Sequence, residues 1–381
     1  MINAEKFKTK TILTERENPK RPGKWNIGID IGYSGIKIFS PNMISCFPAL
    51  AKKIPESMIT ISKEKDTDIQ YRNLKTGDSW YVGEAAYSLS NTNDNELALF
   101  GRTRYYSDMF KVMSEVGLAL GMLSNKYGSF KNEELRVQTG LPPEYRNMDE
   151  SDLKEVLAGE HHFAIKIGTR DWKEFHFELT TDQIDIMDQP MGTLLSISTN
   201  NNGKPSSEAK KYFNSKILIF DAGFGTVDIY NVDNGKIVTK PETLDLGMKQ
   251  VFKGVIKDVA GKYKKEISLT DMQGILSTGK IKVFDKKTKS STWKSIDDIL
   301  EINNEKICRE ALERICSSYE DLVEHDYLVI TGGTGAAWSS IIRETLSGME
   351  TLTVLSGAQN DNLSPIFANV RGYYMYSLNG K

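Results

Sequence analysis

An acidic side chain followed by a glycine-rich turn marks the stretch around Asp221. The apolar run 217–220 before it predicts a buried strand, and 226–230 alternates like a second strand. Between them, Gly223 and Gly225 lack side chains, so backbone N–H groups can approach an anion closely. A carboxylate beside such a turn can hold a water bound to a divalent cation. On its own, the stretch is also consistent with a hairpin that binds nothing.

The same pattern occurs near the N-terminus. Asp30 ends an alternating apolar stretch, Gly32 and Gly35 form a turn, and a second apolar alternation follows. The two copies differ at one position of the returning strand, where the first has Lys37 and the second has Asp228. A lysine is a point charge suited to phosphate oxygens. The repetition predicts an internal duplication, with two similar halves that face one ligand.

A third glycine cluster, Gly332-Gly333-Thr334-Gly335, follows an apolar strand at 327–331. A helix is predicted from Ala336 onward. A strand, a glycine-rich loop and a helix N-terminus together form a surface that binds anions and nucleotides. An ordinary turn between a strand and a helix needs only one glycine, so three glycines in four residues favour a ligand.

Taken together, these stretches resemble the superfamily that includes actin, the heat-shock chaperone ATPases and the sugar kinases. Asp30-x-Gly-x-x-x-x-Lys37 is similar to its first phosphate loop, Asp221-x-Gly-x-Gly-Thr-x-Asp228 to its second, and 331–335 to its adenosine-binding motif. In length and insertions, the chain is most similar to bacterial actin-like proteins of the ParM type, which partition plasmids. The resemblance implies an α/β actin-like fold of two duplicated RNase H-like domains, with a nucleotide cleft between them.

The resemblance also implies a ligand and its contacts. ATP or GTP would bind with Mg²⁺, which Asp30 and Asp221 would hold through water. The nucleotide contacts would come from the three loops and from a glycine-containing step before a predicted helix: Gly32, Tyr33, Ser34, Gly35, Lys37, Gly223, Phe224, Gly225, Thr226, Gly247, Lys249, Gly332, Gly333, Thr334 and Gly335. For Lys249, an ordinary surface charge explains the residue equally well.

One further residue is implied where the two domains join. Members of the superfamily carry there a side chain that orients the attacking water, a glutamine in actin and a glutamate in ParM-like proteins. Gln189 is the best match, with Asp188 as the alternative. The pair also fits an ordinary helix start, because Pro190 follows and proline suits the first turn of a helix.

Domain limits follow from the same motifs and from composition. Residues 1–24 carry seven positive charges and two prolines, which is typical of a disordered arm. Such an arm is either a solvated tail or start-site extension, or a contact to DNA, an adaptor or a neighbouring subunit. The predicted limits are 25–189 for domain I with a small inserted subdomain at about 41–105, 190–345 for domain II with an inserted subdomain at about 250–300, and 346–381 for a segment that returns to domain I.

Composition narrows the class of protein. The chain has 381 residues with 26% charged and 39% hydrophobic residues and a net charge of −2, which suits a two-domain globular protein and gives no global attraction to nucleic acid. The sequence has no long apolar run and no signal peptide, so no membrane partner is expected. Its three cysteines form no Cys-x-x-Cys pair, as expected in a reducing cytoplasm, here a bacterial one.

The resemblance implies a function in two alternatives. The first is an ATPase whose copies polymerise into nucleotide-dependent filaments that segregate plasmid DNA, with a DNA-binding adaptor on a centromere-like site. The second is a kinase of the same superfamily that phosphorylates a small molecule such as a sugar or acid. The kinase would need a catalytic aspartate and a substrate pocket in domain I, where no clear catalytic-acid motif is found.

Overall fold

The computed structural model describes residues 4–57, 64–89 and 102–379. Its described strands are, in chain order, β1 Ile12–Glu15, β2 Lys24–Ile31, β3 Gly35–Ser40, β4 Met43–Pro48, β5 Ala51–Lys53, β6 Ile69–Asn73, β7 Ser79–Val82, β8 Glu134–Leu141, β9 Gly159–Ile167, β10 Lys173–Leu179, β11 Ile184–Asp188, β12 Lys216–Ala222, β13 Val227–Asp233, β14 Lys236–Ile237, β15 Glu242–Leu244, β16 Lys280–Asp285, β17 Ser290–Ser295, β18 Tyr327–Thr331 and β19 Thr353–Ser356. The described helices are α1 Asp108–Met122, α2 Pro143–Leu157, α3 Gln189–Ser198, α4 Ala209–Phe213, α5 Met248–Tyr263, α6 Leu269–Leu276, α7 Asp297–Ser318, α8 Gly333–Thr345 and α9 Ala368–Asn379.

The chain divides into two units, each with its own sheets and core. The first unit contains residues 10–210, 357–363 and 367–381, and the second contains 1–9, 211–356 and 364–366. The chain leaves the first unit about twenty residues after the predicted limit at 189, since α3 packs closely against α9. It returns after 356 rather than 345, because β19 pairs with β18 in the second unit.

The main sheets of the two units share one plan. In the first unit, β4, β3 and β2 are antiparallel neighbours, and β8 and β11 continue the sheet in parallel to β2. In the second unit, β14, β13 and β12 are antiparallel, and β18 and β19 continue in parallel to β12. The predicted duplication is therefore confirmed. In both sheets, the acidic turn joins two antiparallel strands. The first of these strands, β2 or β12, pairs in parallel with its other neighbour, β8 or β18.

Residues 4–24 differ from the predicted disordered arm. Strand β1 pairs antiparallel with β4, with Ile12 opposite Cys46. The N–H of Thr11 also donates to the Glu84 carboxylate at 2.8 Å. Ala4, in a 3₁₀ helix at Ala4–Phe7, is buried in the core of the second unit. The prediction rested on the composition of this segment, whose many charges and prolines give no indication of these few ordering contacts.

The strands at 41–105 also differ from the small inserted subdomain that was predicted there. Strand β4 belongs to the main sheet, whereas β5, β6 and β7 join β9 and β10 in a separate five-stranded sheet. Residues 159–179, which lie outside the predicted bounds, complete this sheet, because β9 pairs with β6 over a long sequence separation. The parts of the predicted subdomain at 58–63 and 90–101 lie outside the described residues.

Helix α1 packs on β3 beneath the first acidic turn. The Ser107 hydroxyl caps this helix by accepting a hydrogen bond from the Phe110 N–H at 3.2 Å. The segment predicted as a second inserted subdomain contains α5, α6 and a hairpin formed by β16 and β17. None of the helices in the described ranges is long and apolar enough to cross a membrane.

Candidate functional site

The first acidic turn, between β2 and β3, holds its own ion pair. Asp30 lies opposite Lys37 in the strand register, and the Lys37 Nζ is 3.1 Å from Asp30 Oδ2. A side chain on Gly32 would come within 2.9 Å of the Lys37 ammonium, so glycine there leaves room for the lysine. Tyr33 lies on the outer side of this turn, with the Arg104 guanidinium over its ring. The predicted loop residues are thus brought together within the first unit.

A thiol lies beside this ion pair but adds no charge to it. Cys46 on β4 is the cross-strand neighbour of Lys37. Burial raises the pKa of the Cys46 thiol to about 11, and Lys37 offsets this effect only in part. At neutral pH the thiol is therefore neutral, and the local charges are those of Asp30 and Lys37.

The second acidic turn, between β12 and β13, has a different charge pattern. Asp221 lies opposite Asp228 in the register, where the first turn has a lysine. Both oxygens of Asp228 accept hydrogen bonds, from the hydroxyls of Thr226 at 3.2 Å and of Thr243 at 2.8 Å. The turn itself closes with the Gly223 N–H donating to the Thr226 carbonyl at 2.8 Å.

The start of α5 fixes the direction of the peptides in the second turn. The N–H groups of Gly247, Met248 and Lys249 donate to the carbonyls of Gly225, Gly223 and Phe224, in that order. In a planar trans peptide the N–H points opposite to the C=O. The N–H groups of residues 224, 225 and 226 therefore point away from α5 and toward one common side. Successive N–H groups aimed in this way form an anion-binding concavity.

The close approach of α5 to the second turn explains why residue 247 is a glycine. A Cβ at Gly247 would lie 2.4 Å from the Phe224 carbonyl oxygen, so only glycine permits the close approach of α5 to the turn. The backbone N–H groups of Gly247 and Lys249 are used in holding the turn. The sequence analysis predicted both residues as nucleotide contacts. It did not identify Thr243, whose hydroxyl donates to Asp228, because no local sequence pattern indicates that contact.

The third loop lies directly beside the second turn. Thr331 is the parallel neighbour of Asp221, and Gly332 follows with φ +83. A Cβ on Gly332 would lie 2.2 Å from the Ala222 carbonyl and 2.7 Å from Asp221 Oδ1. The Thr334 hydroxyl donates to the Gly223 carbonyl at 2.6 Å. The structure thus places the Asp221 carboxylate, the second turn and the N-terminus of α8 in one place.

Helix α8 begins at Gly333, with Gly332 as its N-cap residue. The first N–H groups of a helix have no partner within the helix and attract negative charge. Gly335 packs closely on β18, since a Cβ there would be 3.0 Å from the Ile330 side chain. The second turn and the α8 N-terminus are therefore neighbours in the second unit.

Gln189 and Asp188 have separate environments in the first unit. Asp188 ends β11 and its carboxylate pairs with Arg146 of α2 at 3.2 Å. Asp188 occupies the N-cap position of α3, but its side chain makes no capping hydrogen bond. Gln189 is the first residue of α3 and is half-buried. Asp188 is thus engaged by an arginine, and Gln189 lies next to it at the start of α3.

The tight packing of α3 fixes where Gln189 lies in the first unit. A Cβ on Gly372 of α9 would come within 1.7 Å of the Gly192 carbonyl, so the two helices touch through their backbones. At the other end of α3, Arg371 donates to the Ser196 and Thr199 carbonyls. Arg371 is fully buried and also pairs with Asp361. The helix that begins at Gln189 is thus held at both ends.

The carboxylates suit a hard cation held through water. Within the described residues, no three His, Cys, Asp or Glu side chains cluster as direct metal ligands. Mg²⁺ prefers oxygen ligands, retains several waters and usually needs only one or two carboxylates. Asp30 and Asp221 are both buried carboxylates of this kind, and Asp30 Oδ2 is also paired with Lys37.

Comparisons with known proteins agree with this geometry. Residues 28–192 match the family model described as the N-terminal domain of actin-like proteins. A search of curated protein sequences found no match. Among solved structures, the chain is similar to a 15-stranded ParM filament from Clostridium botulinum, with 18% identity, a TM-score of 0.68, and coverage of 94% of this chain and 100% of that one.

Two further structures show the same likeness. An archaeal actin homologue in complex with ADP has 15% identity and a TM-score of 0.60, with coverage of 93% of this chain and 100% of that one. The Alp12 filament structure has 16% identity and a TM-score of 0.59, with coverage of 94% and 99%. At these identities the likeness establishes the fold, and the prediction of an actin-like fold is confirmed.

Proposed function

We propose that this chain, which has an actin-like fold and the actin-like N-terminal domain at residues 28–192, hydrolyses ATP and assembles with its own copies into filaments. One observation supports the enzymatic part: Asp221, the second turn and the α8 N-terminus adjoin one another. Assembly is supported by the matched ParM and Alp12 structures, which are filaments.

The second unit would bind the phosphates and the metal. The N–H groups of 224–226 would donate to phosphate oxygens, since the carbonyls of the same peptides, those of residues 223–225, accept hydrogen bonds from α5. The Gly332–Gly335 loop would bind the nucleoside side, as the family resemblance implies. Asp221 would hold waters of Mg²⁺, and when bound this ion would neutralise charge on the β- and γ-phosphates.

The first unit would supply a cation and a water-positioning group, as the family resemblance implies. Lys37 is held by Asp30 at 3.1 Å, so its ammonium is positioned before any phosphate arrives. Gln189 at the fixed start of α3 would align a water with the γ-phosphorus. Phosphoryl transfer asks little covalent chemistry of a protein, so positioning and charge stabilisation account for the rate.

The cellular role extends this proposal. Filaments of this kind would segregate plasmid DNA in a bacterial cytoplasm, with a DNA-binding adaptor as the partner, as the family resemblance implies. ATP is the preferred nucleotide in the proposal, because the actin-like relatives include an ADP complex. GTP remains the alternative to be measured beside it.

A single experiment separates the two candidate functions. Light scattering and phosphate release are recorded together after addition of Mg-ATP, and Mg-GTP is the parallel sample. A prompt rise in scattering followed by phosphate release supports an assembling ATPase. A flat scattering trace, with phosphate transferred to an added sugar or acid instead of water, supports the kinase and overturns the filament proposal.

A further inference from the structure

The β16–β17 hairpin presents aromatic side chains to solvent on one face. Phe284 and Trp293 are 59% and 64% exposed. Lys282 lies opposite Trp293 and Phe284 lies opposite Ser291, so the two aromatic rings are diagonal neighbours on the same face. The other face is the one that packs on the second unit, where Ile281 is buried. The aromatic face therefore has no role in the hairpin's own packing.

The hairpin is also strongly basic. Residues 280–295, called the basic hairpin below, contain six lysines and one aspartate, a net charge of +5. Because the whole chain carries −2, the remaining residues carry −7, which is −2 minus +5. Within the described residues, none of the six lysines has a carboxylate within ion-pair distance. Lysines protect exposed strand edges from unwanted pairing, but that role does not explain two exposed aromatic rings beside them.

A surface of opposite character lies in the first unit. Helix α2 contains five acidic and two basic residues. Glu144, Met148 and Glu155 lie on one stripe of this helix, because their spacings of four and seven residues return to the same face. Tyr145 and Met148 are 49% and 48% exposed, and Tyr106 from the adjacent 3₁₀ helix Arg102–Tyr106 is 72% exposed.

Some acidic side chains of this surface form ion pairs with basic side chains, and others do not. Arg146 and Lys154 pair with Glu150, and Arg102 pairs with Asp149 and Asp152, so these three acids are compensated by basic side chains. In the described part of the chain, Glu144 and Glu155 have no basic group within ion-pair distance. We call the surface formed by Tyr106, Glu144, Tyr145, Met148 and Glu155 the acidic face.

We propose that the basic hairpin of one copy docks on the acidic face of the next copy. Both surfaces place exposed apolar groups among charges, and the charges have opposite sign. Aromatic side chains at the centre of an interface carry much of its affinity, while surrounding charges set orientation and partner choice. The two surfaces are different, so the contact is head-to-tail and can repeat without closing, as a filament requires. This inference rests on the proposed assembly.

A charge-reversal experiment tests this contact. Lys280→Glu with Lys282→Glu reverses two charges on the aromatic face, and Glu144→Lys with Glu155→Lys reverses the two uncompensated acids. Each double variant alone should raise the critical concentration for Mg-ATP-dependent pelleting by at least ~10-fold, the scale of an interface hot spot. Combining all four substitutions should restore most of the assembly. The control is Lys253→Glu with Lys257→Glu, exposed lysines of α5 in the same unit, which should pellet like the original chain.

The aromatic pair supplies a second variant that leaves charge unchanged. Phe284→Ser with Trp293→Ser should likewise raise the critical concentration by ~10-fold or more while nucleotide binding stays unchanged. Tyr376→Ser, a half-exposed aromatic on α9, is the matched control. Normal assembly of this hairpin variant, or a fourfold charge variant no better than either double variant, would overturn the docking contact.

Other outcomes are separable. Failure of the original chain to assemble at all would sink the proposed function and the docking contact with it, whereas failure of the hairpin prediction alone would leave the function standing. Binding of a single-stranded DNA oligonucleotide is measured by fluorescence anisotropy in parallel. Loss of that binding in Lys280→Glu with Lys282→Glu, with assembly intact, would identify a nucleic acid as the occupant and overturn docking between copies.

Discussion

The two acidic turns share a backbone plan and differ in charge. In the first, Asp30 faces Lys37 and the pair is internally neutral. In the second, Asp221 faces Asp228, whose oxygens are occupied by two threonine hydroxyls. A duplicated scaffold has therefore diverged into one turn that presents a cation and another that retains negative charge. The difference motivates the proposal that the first turn neutralises phosphate charge and the second binds the metal.

The largest effect is expected at the second turn. Asp221→Asn should lower phosphate release by at least ~10²-fold, because the charge that holds the metal waters is lost. Release is followed at saturating Mg-ATP, and circular dichroism checks that the fold is retained. The matched control is Asp228→Asn, whose partners are hydroxyls, and its loss should be much smaller. Equal losses of phosphate release in the two variants would mean that Asp221 and Asp228 contribute equally to activity, which would contradict the proposed role of Asp221.

Gln189→Ala tests the residue that is proposed to orient the attacking water. A positioned orienting group typically contributes ~10²- to 10⁴-fold, so the turnover rate should fall in that range while nucleotide affinity stays nearly constant. Single-turnover phosphate release and equilibrium binding of a fluorescent nucleotide separate the two quantities. Asp188→Asn serves as the control, since Asp188 is paired with Arg146. A larger loss in Asp188→Asn than in Gln189→Ala would reverse the assignment of the water-positioning residue.

Lys37→Gln tests the cation of the first turn. A charge-assisted hydrogen bond contributes ~1.5–3 kcal/mol, so nucleotide affinity should weaken by roughly 10- to 100-fold. The substitution also leaves the buried Asp30 without its lysine partner, and thermal unfolding should occur at a lower temperature. In Lys37→Gln with Asp30→Asn, the stability should recover while the affinity does not. Recovery of both would show that the pair serves only the fold.

The smallest effect is expected at Thr334→Val. The substitution removes the hydroxyl that donates to the Gly223 carbonyl at 2.6 Å, and one such hydrogen bond contributes ~1 kcal/mol to the free energy of unfolding. Denaturant unfolding measures this loss, and Thr334→Ser should restore most of it. An unchanged unfolding midpoint in Thr334→Val would indicate that the third loop does not support the second turn.

Local patterns predicted the parts of the site that lie within one short stretch. The acid, glycine and strand order of both turns was visible because strand alternation and glycine spacing are local signals. The Asn234-Gly235 pair is a local signal of the same kind, since both residues have the positive φ that a type I′ turn requires. Ser107 is another, because serine is a residue type that starts helices and its hydroxyl caps α1.

Contacts over long sequence separations were not predictable in this way. Nothing near β9 indicates that it pairs with β6, and nothing near β1 indicates that it extends the main sheet. Gly247 was predicted as a nucleotide contact, whereas its close approach to the Phe224 carbonyl gives it a packing reason. In each case the partner lies elsewhere in the chain, so single-sequence periodicity carries no signal for it.

The central claim is the proposal that the second acidic turn binds a magnesium nucleotide. The most direct test is a crystal structure of the protein with Mg²⁺ and a non-hydrolysable ATP analogue. The account predicts a nucleotide whose phosphates contact the N–H groups of 224–226, with Asp221 facing a magnesium-bound water. A nucleotide bound away from this turn, or a magnesium ion remote from Asp221, would contradict it.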